Sequence, residues 1–298
     1  MLKFGNTYLN FGGTYLSGFK PNLNPLNLPD YTMRFLFKDN VTPTFRRGTG
    51  TQISQTPNVW DCYLPTNEWM QAFEDQTDML AVLGANLSGR FGGVYTLLST
   101  FYGCTALSSV ALFDTSTVYN LQHTFGNCQS LTGIPKLNTS LVGAMNNAFF
   151  NCKSMVDFPL IDTSNVAFMG DCFENCTSLT SIPQLNTSSV VDASNMFNGC
   201  KSLVSVPDLD LTNVSGMGWM FYNCSSLSAI PQIHTTKVVK CNYAFYECYN
   251  VSSGTSAFYN QLINQATPPT AYAKCFHSCG ISSTQGAAEL AQIPSDWK

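Results

Sequence analysis

The sequence predicts an α/β stack of short repeats, with parallel strands on one face, short helices on the other, and a small β-rich segment ahead of them. Three observations carry this reading. Phe-x-x-Cys recurs seven times on a fixed 24-residue step, with cysteines at Cys104, Cys128, Cys152, Cys176, Cys200, Cys224 and Cys248. Apolar residues keep register three positions after each Cys, and six and nine positions after the first six of them, as in Leu179, Ile182 and Leu185. A polar corner follows in the same register, as in Asp162-Thr163-Ser164-Asn165 or Asn186-Thr187-Ser188-Ser189. A constant period of this length marks a chain built from one unit stacked on itself.

Each part of the unit has a physical reading. The run Leu-x-x-Ile-Pro-x-Leu is extended, because proline disfavours helix for the residue before it. Pro135, Pro159, Pro183, Pro207 and Pro231 lack the N–H that a ladder uses, so they mark strand ends. The Asp/Asn-Thr-Ser corner offers side-chain oxygens to cap a helix start. The spacing of Val166, Met169 and Phe173, or Val214, Met217 and Phe221, then places one apolar face on a short helical turn. The apolar side chains of one unit cannot offset the entropy of ordering 24 residues. Units therefore fold only against neighbours, and both ends need caps.

Upstream, Trp69, Phe73, Met79 and Val82 fall in register, with Gln76 in the Cys slot and an insertion near residues 89–93 before Phe101. Downstream, Tyr272, Phe276 and Cys279 revive the motif after a longer step, and residues 286–291 read as a closing helix. Nine turns at about 4.8 Å give a body about 40 Å long.

The pattern from Leu179 to Cys200 resembles the BspA-like leucine-rich repeats, including the DTSNV…MFxxC surface-protein repeats of gut bacteria and mycoplasmas. That resemblance covers residues 60–298. It implies a leucine-rich-repeat-type solenoid used for adhesion or protein recognition, with no fixed catalytic residues.

Ahead of it, residues 31–59 read as a small β-rich segment, with Tyr31–Phe37 as a strand and Val41–Phe45 as its partner. Residues 1–30 form an N-terminal segment and linker. It opens on a duplication, residues 4–10 and 11–17, whose aromatic and glycine pattern predicts two short β segments. This leader resembles the starts of virion proteins from tailed phages of gut Bacteroidetes, including crAss-like phages. That resemblance makes Phe4, Tyr8, Phe11 and Tyr15 the candidate virion anchor.

Composition narrows the function. The chain has 298 residues, 44% of them hydrophobic, enough for a continuous core. Only 11% are charged, the net charge is −4, and no basic run occurs, which argues against nucleic acid as a partner. No apolar run is long enough to span a membrane. The start lacks the apolar stretch of a signal peptide.

The twelve cysteines read as small core residues rather than disulfides. Cys172 and Cys176, or Cys275 and Cys279, have spacing that a soft metal could use, but Cys172 occupies the slot of Met196 and Met220. His123, His234 and His277 fall at different repeat positions, and His234 takes the corner slot of Asp162. Asp61, Glu68, Glu74, Asp75 and Asp78 cluster before the first full turn, as hydration of the cap or a weak cation site. No catalytic constellation, cofactor motif or metal set is expected.

The candidate interaction face is the strand face. Its outward columns are Ser109, Gly133, Asp157, Ser181, Ser205 and Ala229, with Leu112, Lys136, Leu160, Gln184, Asp208 and Gln232. They are small and mixed, with no aromatic stripe. The expected role is a non-enzymatic virion surface protein, a head or tail fibre. It would be held by other virion proteins through its N-terminus, form a homo-oligomer, and face a host surface protein or glycan. A bacterial cell-surface adhesin is the alternative.

Overall fold

The computed structural model of the chain describes residues 2–4, 7–9, 26–64, 66, 68–87 and 93–298. Strands β1 (Leu2–Phe4) and β2 (Thr7–Leu9) pair antiparallel. They lie within the first copy of the leader duplication and the residues just before it. The second copy lies outside the described residues.

Strands β3 (Thr32–Phe37), β4 (Thr49–Gln55), β5 (Asn58–Tyr63), β6 (Met79–Asn86) and β7 (Ser109–Val110) form one sheet in the order β4-β5-β3-β6-β7. The alternation in β3 sets its faces. Met33, Phe35 and Phe37 are buried in the main core. Leu36 turns the other way, onto Val59, Ala81 and Leu83 with Leu26. Arg34, outward beside it, grips Asp61 on β5 through two bonds of 2.6 and 2.7 Å. The expected partner strand Val41–Phe45 does not form. Pro43 cannot donate to a ladder, and β5 and β6 flank β3 instead. Phe45 becomes a packing residue, its ring 6.0–6.4 Å from Phe35, Phe37, Trp60 and Phe73.

The sheet leads directly into the repeats, because β6 pairs with β7 in parallel, Ala81 opposite Ser109 and Val82 opposite Val110. Parallel bridges then join equivalent positions of successive turns, Glu68–Thr96–Asn120–Ala144–Phe168–Asp192 and Gly216–Lys240–Ala271.

The segment expected to be helical is built differently. The N–H groups of Met145, Asn147, Phe149 and Asn151 donate to carbonyls of Phe168, Gly170, Cys172 and Glu174, one turn ahead. Those of Ala148, Phe150 and Cys152 donate three residues back, to Met145, Asn147 and Phe149. An α-helix would send every N–H four residues back. Four of these seven donors serve the next turn instead. Two left-handed residues per turn allow the alternation, Asn147 (φ 56°) and Asn151 (φ 59°) here, Asp171 and Asn175 or Asn195 and Gly199 in later turns. Asn and Gly tolerate this conformation best. The repeated turns therefore carry no α-helix. The two α-helices among the described residues, α1 (Thr255–Ile263) and α2 (Thr284–Ala291), lie near the C-terminal end.

The strand side is reduced by its prolines. One backbone bond per turn persists there, as in Val156 N–H to Thr132 O and Val204 N–H to Thr180 O. Ladder pairing reappears in the short parallel strands β8 (Leu209–Asp210) and β9 (Ile233–His234).

The corner residues cap turns rather than helices. Asp162 Oδ1 accepts the N–H of Ser164 at 3.0 Å, and Asn186 Oδ1 that of Ser188 at 3.1 Å. The Thr between them is buried and reaches the next turn. Thr115, Thr139 and Thr163 each donate to a corner carbonyl at 2.6–2.8 Å.

The core is a set of columns. Nine phenylalanines from Phe73 to Phe276 stack with centroids 5.2–5.8 Å apart and planes within 19°. Beside them all twelve cysteines are buried and free. The seven of the repeat each donate Sγ–H to the Phe carbonyl of the preceding turn at 3.0–3.1 Å. The position thus needs a side chain that is both compact and a donor.

Both end turns join the stack. Phe73 continues the ring column. At the other end the long step holds α1, while Ser283 caps α2 by accepting from Gly286 N–H at 2.9 Å. Gly286 lies so close to Val251 O and Gly280 that a Cβ would meet that carbonyl at 2.2 Å. Trp297 closes the column against Tyr272, 4.2 Å away, and Phe276.

Candidate recognition surfaces

The columns Ser109, Gly133, Asp157, Ser181, Ser205, Ala229 and Leu112, Lys136, Leu160, Gln184, Asp208, Gln232 all lie at the surface, exposed or half-buried. Strand alternation turns them away from Leu179, Ile182, Leu185 and their equivalents, which are buried except for the half-buried Ile134. Neighbouring turns bring the columns together at Ser181 and Ser205, which form a parallel bridge. Gln184 Nε2 donates to Asp208 O at 2.8 Å. The result is a mild, mixed surface with no concentration of titratable groups.

Phe4 and Tyr8 lie on β1 and β2. Phe11 and Tyr15 lie outside the described residues.

The acidic residues before the first turn are tied up individually. Asp61 pairs with Arg34. Asp78 pairs with Lys38 at 2.8 Å. Glu74 and Asp75 both meet Arg46, and Glu68 accepts from Tyr95. Among the described residues no group of three His, Cys, Asp or Glu is placed to hold a metal ion. The buried thiols are held protonated, since burial pushes Cys104, Cys176 and Cys279 up to about 12.

The ladder of turns carries a second surface that the sequence reading passed over. The residues five and two before each Cys project there. In the middle turns they are Asp171 and Glu174, then Asn195 and Asn198. In the next two they are Trp219 and Tyr222, then Tyr243 and Tyr246. Trp219 stacks on Tyr243 (5.4 Å, 11°), and Tyr222 on Tyr246 (4.9 Å, 4°), with His277 beyond at 4.8 Å. Trp219 is 41% exposed.

Asn198 Nδ2 donates to Glu174 Oε1 at 3.1 Å and to Asn195 Oδ1 at 3.3 Å. Burial, followed by the hydrogen bond and the charge of Asp171, raises Glu174 to about 7. Burial raises Asp171 as well. The two carboxyls share a proton more readily than they ionise together. His123 is pulled down by burial. The signal that could have found this surface is the 24-residue spacing of Trp219 and Tyr243, and of Tyr222 and Tyr246.

The family described as Mycoplasma protein of unknown function, DUF285, matches residues 95–203 and again 145–258. Together these matches span more than half of the chain. Among solved structures, a leucine-rich repeat protein of T. pallidum is similar at 22% identity and TM-score 0.47, over 64% of this chain and 86% of that one. A leucine-rich repeat protein from Eubacterium ventriosum ATCC 27560 is similar at 17% identity and TM-score 0.33, over 70% of this chain and 50% of that one. No curated protein matches. No helix among the described residues is long and apolar enough to cross a membrane.

Proposed function

The chain belongs to the DUF285 family, and from that premise we propose that it is a non-enzymatic leucine-rich-repeat solenoid displayed at a surface, where it adheres to or recognises a partner. The observation that supports this most is the construction of the stack. Its interior is spent on constant columns of Phe and Cys and on apolar columns beside them, which recur from turn to turn. The interior changes mostly among apolar residues, whereas charge, polarity and size vary freely at outward positions such as Asp157, Ser181 and Gln184, or Asp171, Asn195 and Trp219. A scaffold that keeps its core constant and varies its surface is suited to binding.

The bacterial cell surface is the location favoured by the family resemblance. A second reading places the chain on a phage particle as a head or tail fibre, with residues 1–30 as the anchor. It is favoured by the duplicated aromatic leader at residues 4–17.

Immunogold labelling with antibody to the full chain tests both locations. Gold on the outside of intact cells supports the adhesin, and gold on purified particles supports the fibre. Label confined to the cell interior overturns surface display. On particles, a chain lacking residues 1–30 is expected to be left out. Normal incorporation would refute the anchor.

A further inference from the structure

The aromatic columns on the ladder of turns stop abruptly. Trp219 and Tyr222 each stack on a ring of the following turn. On the preceding turn their positions are filled by the short amides Asn195 and Asn198. Asn195 is seated against this edge by its N–H bond to Gly218 O at 3.0 Å. One face of Trp219 therefore looks over a step whose floor is two carboxamides. Beyond it lies Glu174, bonded to Asn198.

These three elements match the chemistry of one ligand class. A pyranose ring offers a face of C–H groups and a rim of hydroxyls. An exposed indole face takes the C–H face. Amides and a carboxyl oxygen can both donate to and accept from hydroxyls, in fixed directions. The net negative charge of the proton-sharing pair Asp171 and Glu174 disfavours phosphorylated or uronic ligands. We infer that the step between Trp219 and Asn198 is a binding subsite for a neutral hexose unit of a glycan.

This deepens the surface-recognition reading and rests on it. It also moves the site from the strand face to the ladder of turns. The rigidity of the site follows from its position on stacked turns, where the N–H groups of Asn195, Phe197 and Trp219 are bonded to the next turn and those of Asn198 and Tyr222 within their own.

The test is affinity electrophoresis of the full chain through gels containing yeast mannan, amylopectin, galactomannan or xyloglucan, with heparin as the anionic control. At least one neutral polysaccharide is expected to retard the chain. Trp219→Ala should weaken that retardation by about tenfold, the scale of one aromatic contact. Trp219→Phe should keep most of it. Tyr119→Ala, which removes a different exposed ring, should leave it unchanged.

Retardation by none of the four neutral polymers, or equal retardation of Trp219→Ala, would overturn the subsite. If the labelled chain still bound intact cells under either outcome, recognition would stand, with a protein partner in place of the glycan. Trp219 is largely at the surface, so both variants are expected to fold. Unchanged far-ultraviolet circular dichroism checks this.

Discussion

Phe173 is the sharpest probe of how the stack is held. Its ring is fully buried, faces Phe149 at 5.7 Å and Phe197 at 5.6 Å, and takes the edge of Phe158 at 4.9 Å. Truncating a buried Phe to Ala costs about 3–5 kcal/mol. Three ring contacts, each worth about 0.5–1.5 kcal/mol beyond area, put this site at the upper end. Phe173→Ala should therefore cost about 5 kcal/mol, a large share of the roughly 5–15 kcal/mol that stabilises a domain. Phe173→Leu should cost less than half as much.

The loss is local, because a turn touches only its neighbours. Trp69 reports on the N-terminal end and Trp297 on the C-terminal end, both buried. Urea titrations of variants that keep only one of these tryptophans should give coincident midpoints in the parent. In Phe173→Ala they should give separated midpoints, as the two halves uncouple. A change under about 1 kcal/mol with the midpoints still together would refute the ring column as the carrier of inter-turn stability.

Other outcomes follow from single side chains. Native Glu174 holds its proton to about pH 7, against an ordinary value of 4.5. Stability is thus greatest below 4.5 and falls as pH rises through 7. Solvent screening at this half-exposed site leaves about 1 kcal/mol of effect, which Glu174→Gln should abolish in melts at pH 5 and pH 8. Thr235 Oγ1 is buried without a partner among the described residues. Thr235→Val should therefore raise stability by about 1 kcal/mol, whereas Thr163→Val, which loses a 2.8 Å bond to Asn186 O, should lower it by a similar amount. Asn175 sits at φ 59°. Asn175→Ala should cost about 1 kcal/mol in denaturant and Asn175→Gly almost nothing. None of the twelve thiols should react with Ellman's reagent in the native chain, and all should react in guanidinium.

The core was readable because each apolar position is repeated in register, so Leu179, Ile182 and Leu185 could be assigned inward from spacing alone. The local backbone was not. Spacing such as Val166, Met169 and Phe173 fits a helical face, and it equally fits a ladder of turns. What separates them is the pair of left-handed residues. Asn127, Asn151, Asn175, Gly199 and Asn223, each just before a Cys, were that signal in plain view. The prolines were correctly read as ladder-breakers, yet their effect was larger than a strand end, since the strand side keeps one bond per turn. The strand-face columns were placed outward correctly, but nothing in them converges. The aromatic step was missed because the ladder was read as packing helix, which directs attention away from the residues between its apolar positions. Helix α1 had no counterpart in the repeat and showed only as seven residues of extra spacing before Cys279.

Each bond between turns joins one repeat position to a fixed partner position in the next turn, with Met145 to Phe168 and Phe149 to Cys172 serving as the pattern. A duplication or loss of 24 residues would therefore leave every bond with an equivalent partner and both ends unchanged. Any other change in length has to be taken up outside the ladder, as helix α1 does here. Length in this chain is a dial with steps of about 4.8 Å. The distance between its two ends can be reset by copying a unit, without redesigning either end.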